Sequence, residues 1–283
     1  MPSFNSLMQS EKYSINKTFA MNETFSLIRF KQLFVKTIIE RPVQILGTFA
    51  LSFSVVLLIY FLLKNIANFE IAQLFSFAFG LIGGGCLLAS LVFGYFSDSA
   101  SCAFYLTLPA SALEKWFCGI IIVCLIYFPA FLLYFRVTDF LFVHLYHISL
   151  NPQDPRYTIQ YNSVYLFAFS DNLQLFIFFL NSVCAMFVGS FYFNKISFIK
   201  VALVICGIYF FTFLLNYLVN SILFKNLTHS FPFHLVAIQT GTEQGIVMLP
   251  SYMNKAFDVI TLYILPAILL FISYIRLKEK EVN

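Results

Sequence analysis

The chain has 283 residues, 60% hydrophobic and only 11% charged, with a formal net charge of +4. Soluble domains average about 45–50% apolar and about 25% charged residues, and a mean hydropathy of +0.84 departs further in the same direction. This balance excludes a disordered chain and, despite the basic pI near 8.6, a nucleic-acid binder, and it disfavours an ordinary soluble enzyme.

Residues 1–24 are mixed polar, with no apolar core followed by a small-residue cleavage site, so the first span is expected to act as the insertion signal. The stretch 24–41, TFSLIRFKQLFVKTIIER, predicts an amphipathic helix along the inner membrane surface. Arg29, Gln32, Lys36 and Glu40 share one stripe, and Leu27, Phe34, Val35, Ile38 and Ile39 lie on the other side. Lys31 falls in the apolar face and has to snorkel. A plain basic anchor before the first span is the simpler alternative. Pro42 then turns the chain into the bilayer.

A spanning helix needs about 20 mostly apolar residues. Six charge-free stretches approach that length, and none alternates as a barrel strand does. The fold class expected is an all-α membrane protein of one domain, residues 1–283, with spans at about 43–63, 71–97, 112–136, 172–194, 200–224 and 257–276. Gly83-Gly84-Gly85 in the second span predicts close helix packing or a local kink.

The connection 93–117 between spans two and three carries the most local information. Pro109 stops what precedes it, and Ser111-Ala-Leu-Glu114 is a capping box that starts a helix near Ala112. Before Pro109, a short helix would carry Phe104, Tyr105, Leu106 and Leu108, an apolar patch outside the bilayer of the kind that meets a partner or the interface. Arg136 to Asp171 is expected to be a polar external cap, and 195–200 a short basic turn. In 225–258 the apolar clusters FPFHLVAI and GIVMLPSYM flank the polar TGTEQG. Two short helices dipping into the outer leaflet are expected there, with Phe231, Pro232, Phe233, Met248 and Pro250 as an outer gate.

With six spans both ends share a side. Lysine and arginine divide twelve to five in favour of that side, which puts both termini in the cytoplasm. No cysteine falls in an outer loop, so no extracytoplasmic disulfide is expected. Nucleotide-loop and zinc-protease motifs are absent. His144 and His147 have helical ligand spacing but are expected to be interfacial aromatics rather than a metal site. The charge-free stretches that make up the spans contain no internal Asp, Glu or His; their strongest polar groups are Asn181, Asn216 and Asn220, which either bond between helices or line a substrate path.

FYLTLPASALEKW, Phe104 to Trp116, resembles the cytoplasmic signature of ABC-2-type permeases from Bacteroidota, T-L-P-[AV]-S-x-x-E-K, at Thr107, Leu108, Pro109, Ser111, Glu114 and Lys115. In wording the resemblance covers this stretch alone; in organisation it extends over nearly the whole chain. It implies the membrane half of an exporter in the bacterial inner membrane, moving an amphipathic, lipid-like or peptide substrate. Two ATPase subunits on separate chains would hold ATP and magnesium, so this chain would be neither an enzyme nor a cofactor carrier. A second permease copy would complete a homodimer among membrane lipids, with no nucleic acid. Residues 24–41 would be the elbow helix, the outer segments re-entrant helices, and 97–108 the coupling helix. Ser99, Phe104, Tyr105, Leu106, Thr107, Leu108, Pro109, Ser111 and Glu114 would form the ATPase-coupling loop. A non-transporting membrane anchor or assembly subunit is the alternative from another class.

Overall fold

The computed structural model describes residues 25–66, 68–97, 102, 105, 107–193, 197–223, 227–231, 235–240, 243–248 and 250–282. Helix α1, Leu27–Glu40, leads into six helices long and apolar enough to cross a membrane. These are α2 (Pro42–Ile66), α3 (Phe69–Val92), α4 (Ala112–Ser149), α6 (Leu173–Tyr192), α7 (Ser197–Leu223) and α8 (Ser251–Lys280). A short α5, Tyr157–Ser163, lies between α4 and α6. Between α7 and α8 stand three strands, β1 (Leu227–Phe231), β2 (Leu235–Thr240) and β3 (Glu243–Met248), in an antiparallel sheet of order β1-β2-β3.

That sheet corrects the expectation of two re-entrant helices. The β2–β3 register closes at Thr240↔Glu243, leaving two residues to connect the strands, a hairpin length with glycine first. β-branched residues on both sides favour strands over helix.

Helices α3 and α6 are the centre of the bundle. Buried residues make up 61% and 56% of their apolar windows, against 6% for α7 and 11% for α8. Phe77 of α3 is fully buried, with the rings of Phe131, Phe135, Phe167, Phe169 and Phe176 at centroid distances of 4.9–5.8 Å. The interior at this level is packed aromatic core.

Three helices contain π turns: Phe79–Gly83 in α3, Ile121–Tyr127 in α4 and Ile260–Ile264 in α8. Side chains from neighbouring helices reach a carbonyl of two of them. Gly80 O accepts from Tyr127 Oη at 2.7 Å and from Ser52 Oγ at 3.2 Å, and Thr261 O accepts from Asn181 Nδ2 at 2.9 Å. The glycine triplet sits beside this contact. A Cβ on Gly84 would collide with Tyr127 and Ser52, and one on Gly85 with Phe179, while one on Gly83 would meet nothing. Close approach is therefore the use of two of the three glycines.

Candidate functional site

Two polar junctions organise the ends of the bundle. The first is built on the capping box. Ser111 is extended, its hydroxyl accepts from Glu114 N at 3.2 Å, and Glu114 Oε2 accepts from Ser111 N at 3.0 Å. Helix α4 begins at Ala112, as the motif predicts. The other oxygen of the same carboxylate turns to α1. Glu114 Oε1 accepts from Ser26 N at 2.6 Å and from Arg29 Nη2 at 3.2 Å. Ser26 is the N-cap of α1 and its own side chain caps nothing. One fully buried carboxylate thus caps two helices that start far apart in sequence. The donors on both oxygens offset the large cost of burying the charge.

Among the described residues of the connection after α3, Tyr95 and Tyr105 are buried. A 3-10 turn, Gly94–Ser97, presents Tyr95 to Arg41, whose guanidinium carbon is 3.5 Å from the ring centroid. Tyr105 stacks on Tyr95 at 4.5 Å and 14°, and Lys115 Nζ lies 5.8 Å from the Tyr105 ring. Tyr95 Oη donates to Glu40 Oε2 at 3.3 Å. Burial pushes the Tyr95 phenol above its usual pKa, with the Arg41 guanidinium partly opposing. Trp116 Nε1 donates to Ser273 Oγ at 2.7 Å and brings in α8.

Tyr105 is 4% exposed, so it does not contribute to the exposed apolar patch expected of this connection. Thr107 and Pro109 are exposed and Leu108 is half-buried. Ser99, Phe104 and Leu106 lie outside the described residues.

The asparagines do not come together as one lining. Asn181 of α6 bonds Thr261 O of α8, whereas Asn220 Nδ2 of α7 donates to Asn216 Oδ1 of its own helix at 3.1 Å. Asn181 Oδ1 and Asn216 Nδ2 are buried with no partner among the described residues. Of the gate residues, Phe231 ends β1, Met248 ends β3 and Pro250 precedes α8; Pro232 and Phe233 lie outside the described residues.

The second junction was not foreseen. Helix α4 does not stop near Arg136 but continues to Ser149, 38 residues in all. That is roughly 57 Å at about 1.5 Å per residue, well beyond the about 30 Å of a bilayer's hydrocarbon core. The expected loop 136–171 is thus in its first part helix, and Asp139 on it is fully buried. Asp139 Oδ1 accepts from Tyr60 Oη of α2 at 2.7 Å and from Gln73 Nε2 of α3 at 2.8 Å; Oδ2 accepts from Phe167 N at 2.8 Å. The expected end of the third span near Arg136 is corrected here, because a charge that ends an apolar run need not end the helix.

Around Asp139, side chains bond the backbone of a strap without regular structure, Val164 to Ala168. Gln73 Nε2 also donates to Tyr165 O at 2.9 Å, Arg136 Nη1 to Phe167 O at 3.0 Å, and His147 Nε2 is 3.1 Å from Val164 O. Buried backbone needs partners, and α3 and α4 supply them from side chains. Phe167, pinned this way, fills the core beside Phe77. His147 stacks on Tyr161 at 4.1 Å and His144 on Phe140 at 5.9 Å, both histidines lying on helix α4 rather than in the outer loop expected. Among the described residues no group of His, Cys, Asp and Glu is placed to hold a metal ion, and all six cysteines are free.

No protein-family model, curated protein or solved structure matches the chain.

Proposed function

We propose that the chain is the membrane-spanning permease of an ATP-driven exporter in the bacterial inner membrane, both termini cytoplasmic, with ATP and magnesium held on a separate ATPase chain. Two permeases and two ATPases make the working unit, and the cargo is an amphipathic, lipid-like or peptide molecule. The observation that carries this reading is Glu114, which ties the connection after α3 to the starts of both α1 and α4. A partner pushing on the 97–111 connection would move both helices together.

Helix α1 supports the reading as an elbow along the membrane surface. Leu27, Ile28 and Ile39 are 74%, 73% and 68% exposed, an apolar stripe suited to lipid. Asp139 does not supply the energy source in this account. Its oxygens are filled by fixed protein donors and it has no exposed surface for proton exchange with water. The aromatic filling around Phe77 is what favours the second reading, a non-transporting anchor; the permease reading requires a substrate path elsewhere, at the face between two copies.

Purification of the tagged chain from native membranes tests this. A chain bearing a phosphate-binding nucleotide loop is expected to co-purify, and arginine at the exposed Thr107 (Thr107→Arg) is expected to release it. Recovery without any ATPase would leave the anchor.

A further inference from the structure

Beside the second junction, a cleft of about 770 Å³ opens where α2 turns into α3, against the end of α4 and the strap. Small-molecule sites measure about 300–1,000 Å³. Lys64, Glu70, Asn68, Phe142, Tyr146 and Ser163 are on its walls. Lys64 Nζ stands over the rings of Phe61 and Phe142, at 5.4 and 5.1 Å from their centroids, and has no anionic partner among the described residues. Glu70 is exposed, and its carboxylate accepts the Tyr165 hydroxyl at 3.1 Å. Lys64 and Glu70 make no ion pair with one another, although both face this cleft. A cavity that holds a cation and an anion apart, with Phe142 and Tyr146 on the α4 side, is complementary to a molecule carrying both charges.

We infer that this cleft binds a zwitterion with a primary ammonium group and an oxyanion: a phosphoethanolamine head group, its phosphate on Lys64 and Asn68 and its ammonium on Glu70. The position suits a lipid. The cleft lies at the ends of α2, α3 and α4, at the level where span ends meet head groups, and the apolar outer faces of α2 beside it, such as Leu62 and Ile66, are open to acyl chains. Tyr165 belongs to the strap, so an ammonium on Glu70 competes with the Tyr165 hydroxyl and the site reports on the strap. This assignment does not depend on the transport reading.

The test is native mass spectrometry of the full chain, offered phosphatidylethanolamine, phosphatidylglycerol and phosphatidylcholine in turn, with soluble O-phosphoethanolamine as competitor. Phosphatidylethanolamine is expected to be retained about tenfold more tightly than either other lipid, a gap of about 1.4 kcal/mol. The glycerol head lacks the cation, and the choline head cannot donate a hydrogen bond to Glu70. Lys64→Gln and Glu70→Gln should each remove the preference, and Lys36→Gln at the opposite end should leave it intact. Displacement by soluble O-phosphoethanolamine supports the site with a free molecule as its ligand; retention of the lipid against it supports the site with the membrane as its source. Equal retention of the three lipids by the unmodified chain overturns the inference, and needs no variant to fold. So does a preference that survives both glutamine substitutions.

Discussion

Asp139 and Glu114 are alike in burial and differ in what they hold. Asp139 holds together three segments that are distant in sequence: Tyr60 on α2, Gln73 on α3 and Phe167 on the strap. Its loss leaves the Tyr60 hydroxyl and the Phe167 N–H without their partner in a buried site and takes one of two acceptors from the Gln73 amide, at about 1–3 kcal/mol for each group left unpaired. Asp139→Ala is therefore expected to cost at least about 3 kcal/mol, whereas Tyr60→Phe removes one partner and costs about 1 kcal/mol. Thermal unfolding in detergent separates the two; equal midpoints for both variants would mean that the clamp bears no load. Glu114 holds two helix starts; its cap on α4 was legible because a capping box is local, serine and glutamate three positions apart, whereas its bonds to Ser26 and Arg29 of α1 were not. Asp139 was not legible for the opposite reason. Its donors come from positions far away in the chain, and a charge at the end of an apolar run looks the same on a helix or in a loop.

At the scale of elements, the glycine triplet gives a contrast within one turn. A methyl at Gly84 must displace Tyr127 and Ser52 from their bonds to Gly80 O, and overpacking of this kind costs about 1–3 kcal/mol. At Gly83 the methyl meets nothing, and exchanging glycine for alanine in a helix gains up to about 1 kcal/mol. Gly84→Ala should lower the unfolding midpoint and Gly83→Ala should raise it or leave it unchanged; the reverse order would place the close contact elsewhere. All six spans were visible as apolar runs because burial in lipid needs length and composition, which are local quantities. The sheet was missed although its signal stood in the chain. Gly241-Thr242 separates two β-branched stretches, the pattern of a tight hairpin, but the apolar clusters beside a span suggested dipping helices instead.

Across the whole molecule, apolar exposure is uneven. Helices α3 and α6 are enclosed, α7 is nearly bare, and α1 shows an apolar stripe away from the bundle. Such surfaces fit a protein that is surrounded by lipid on one side and meets another copy or subunit on the other. The two junctions divide the mechanical labour. Asp139 fixes the strap and the far ends of α2, α3 and α4; Glu114 links the connection after α3 to α1 and α4, the parts an ATPase would have to move. On the proposed reading, the most direct measurement is ATP-dependent export from vesicles holding the purified chain with the ATPase proposed as its partner, compared between the unmodified chain and Glu114→Ala. The account predicts that the variant complex still assembles and hydrolyses ATP while export falls at least about tenfold, a loss of about 1.4 kcal/mol or more of coupling. Export that continues unchanged in the variant, or that never depends on ATP in the unmodified complex, would contradict it.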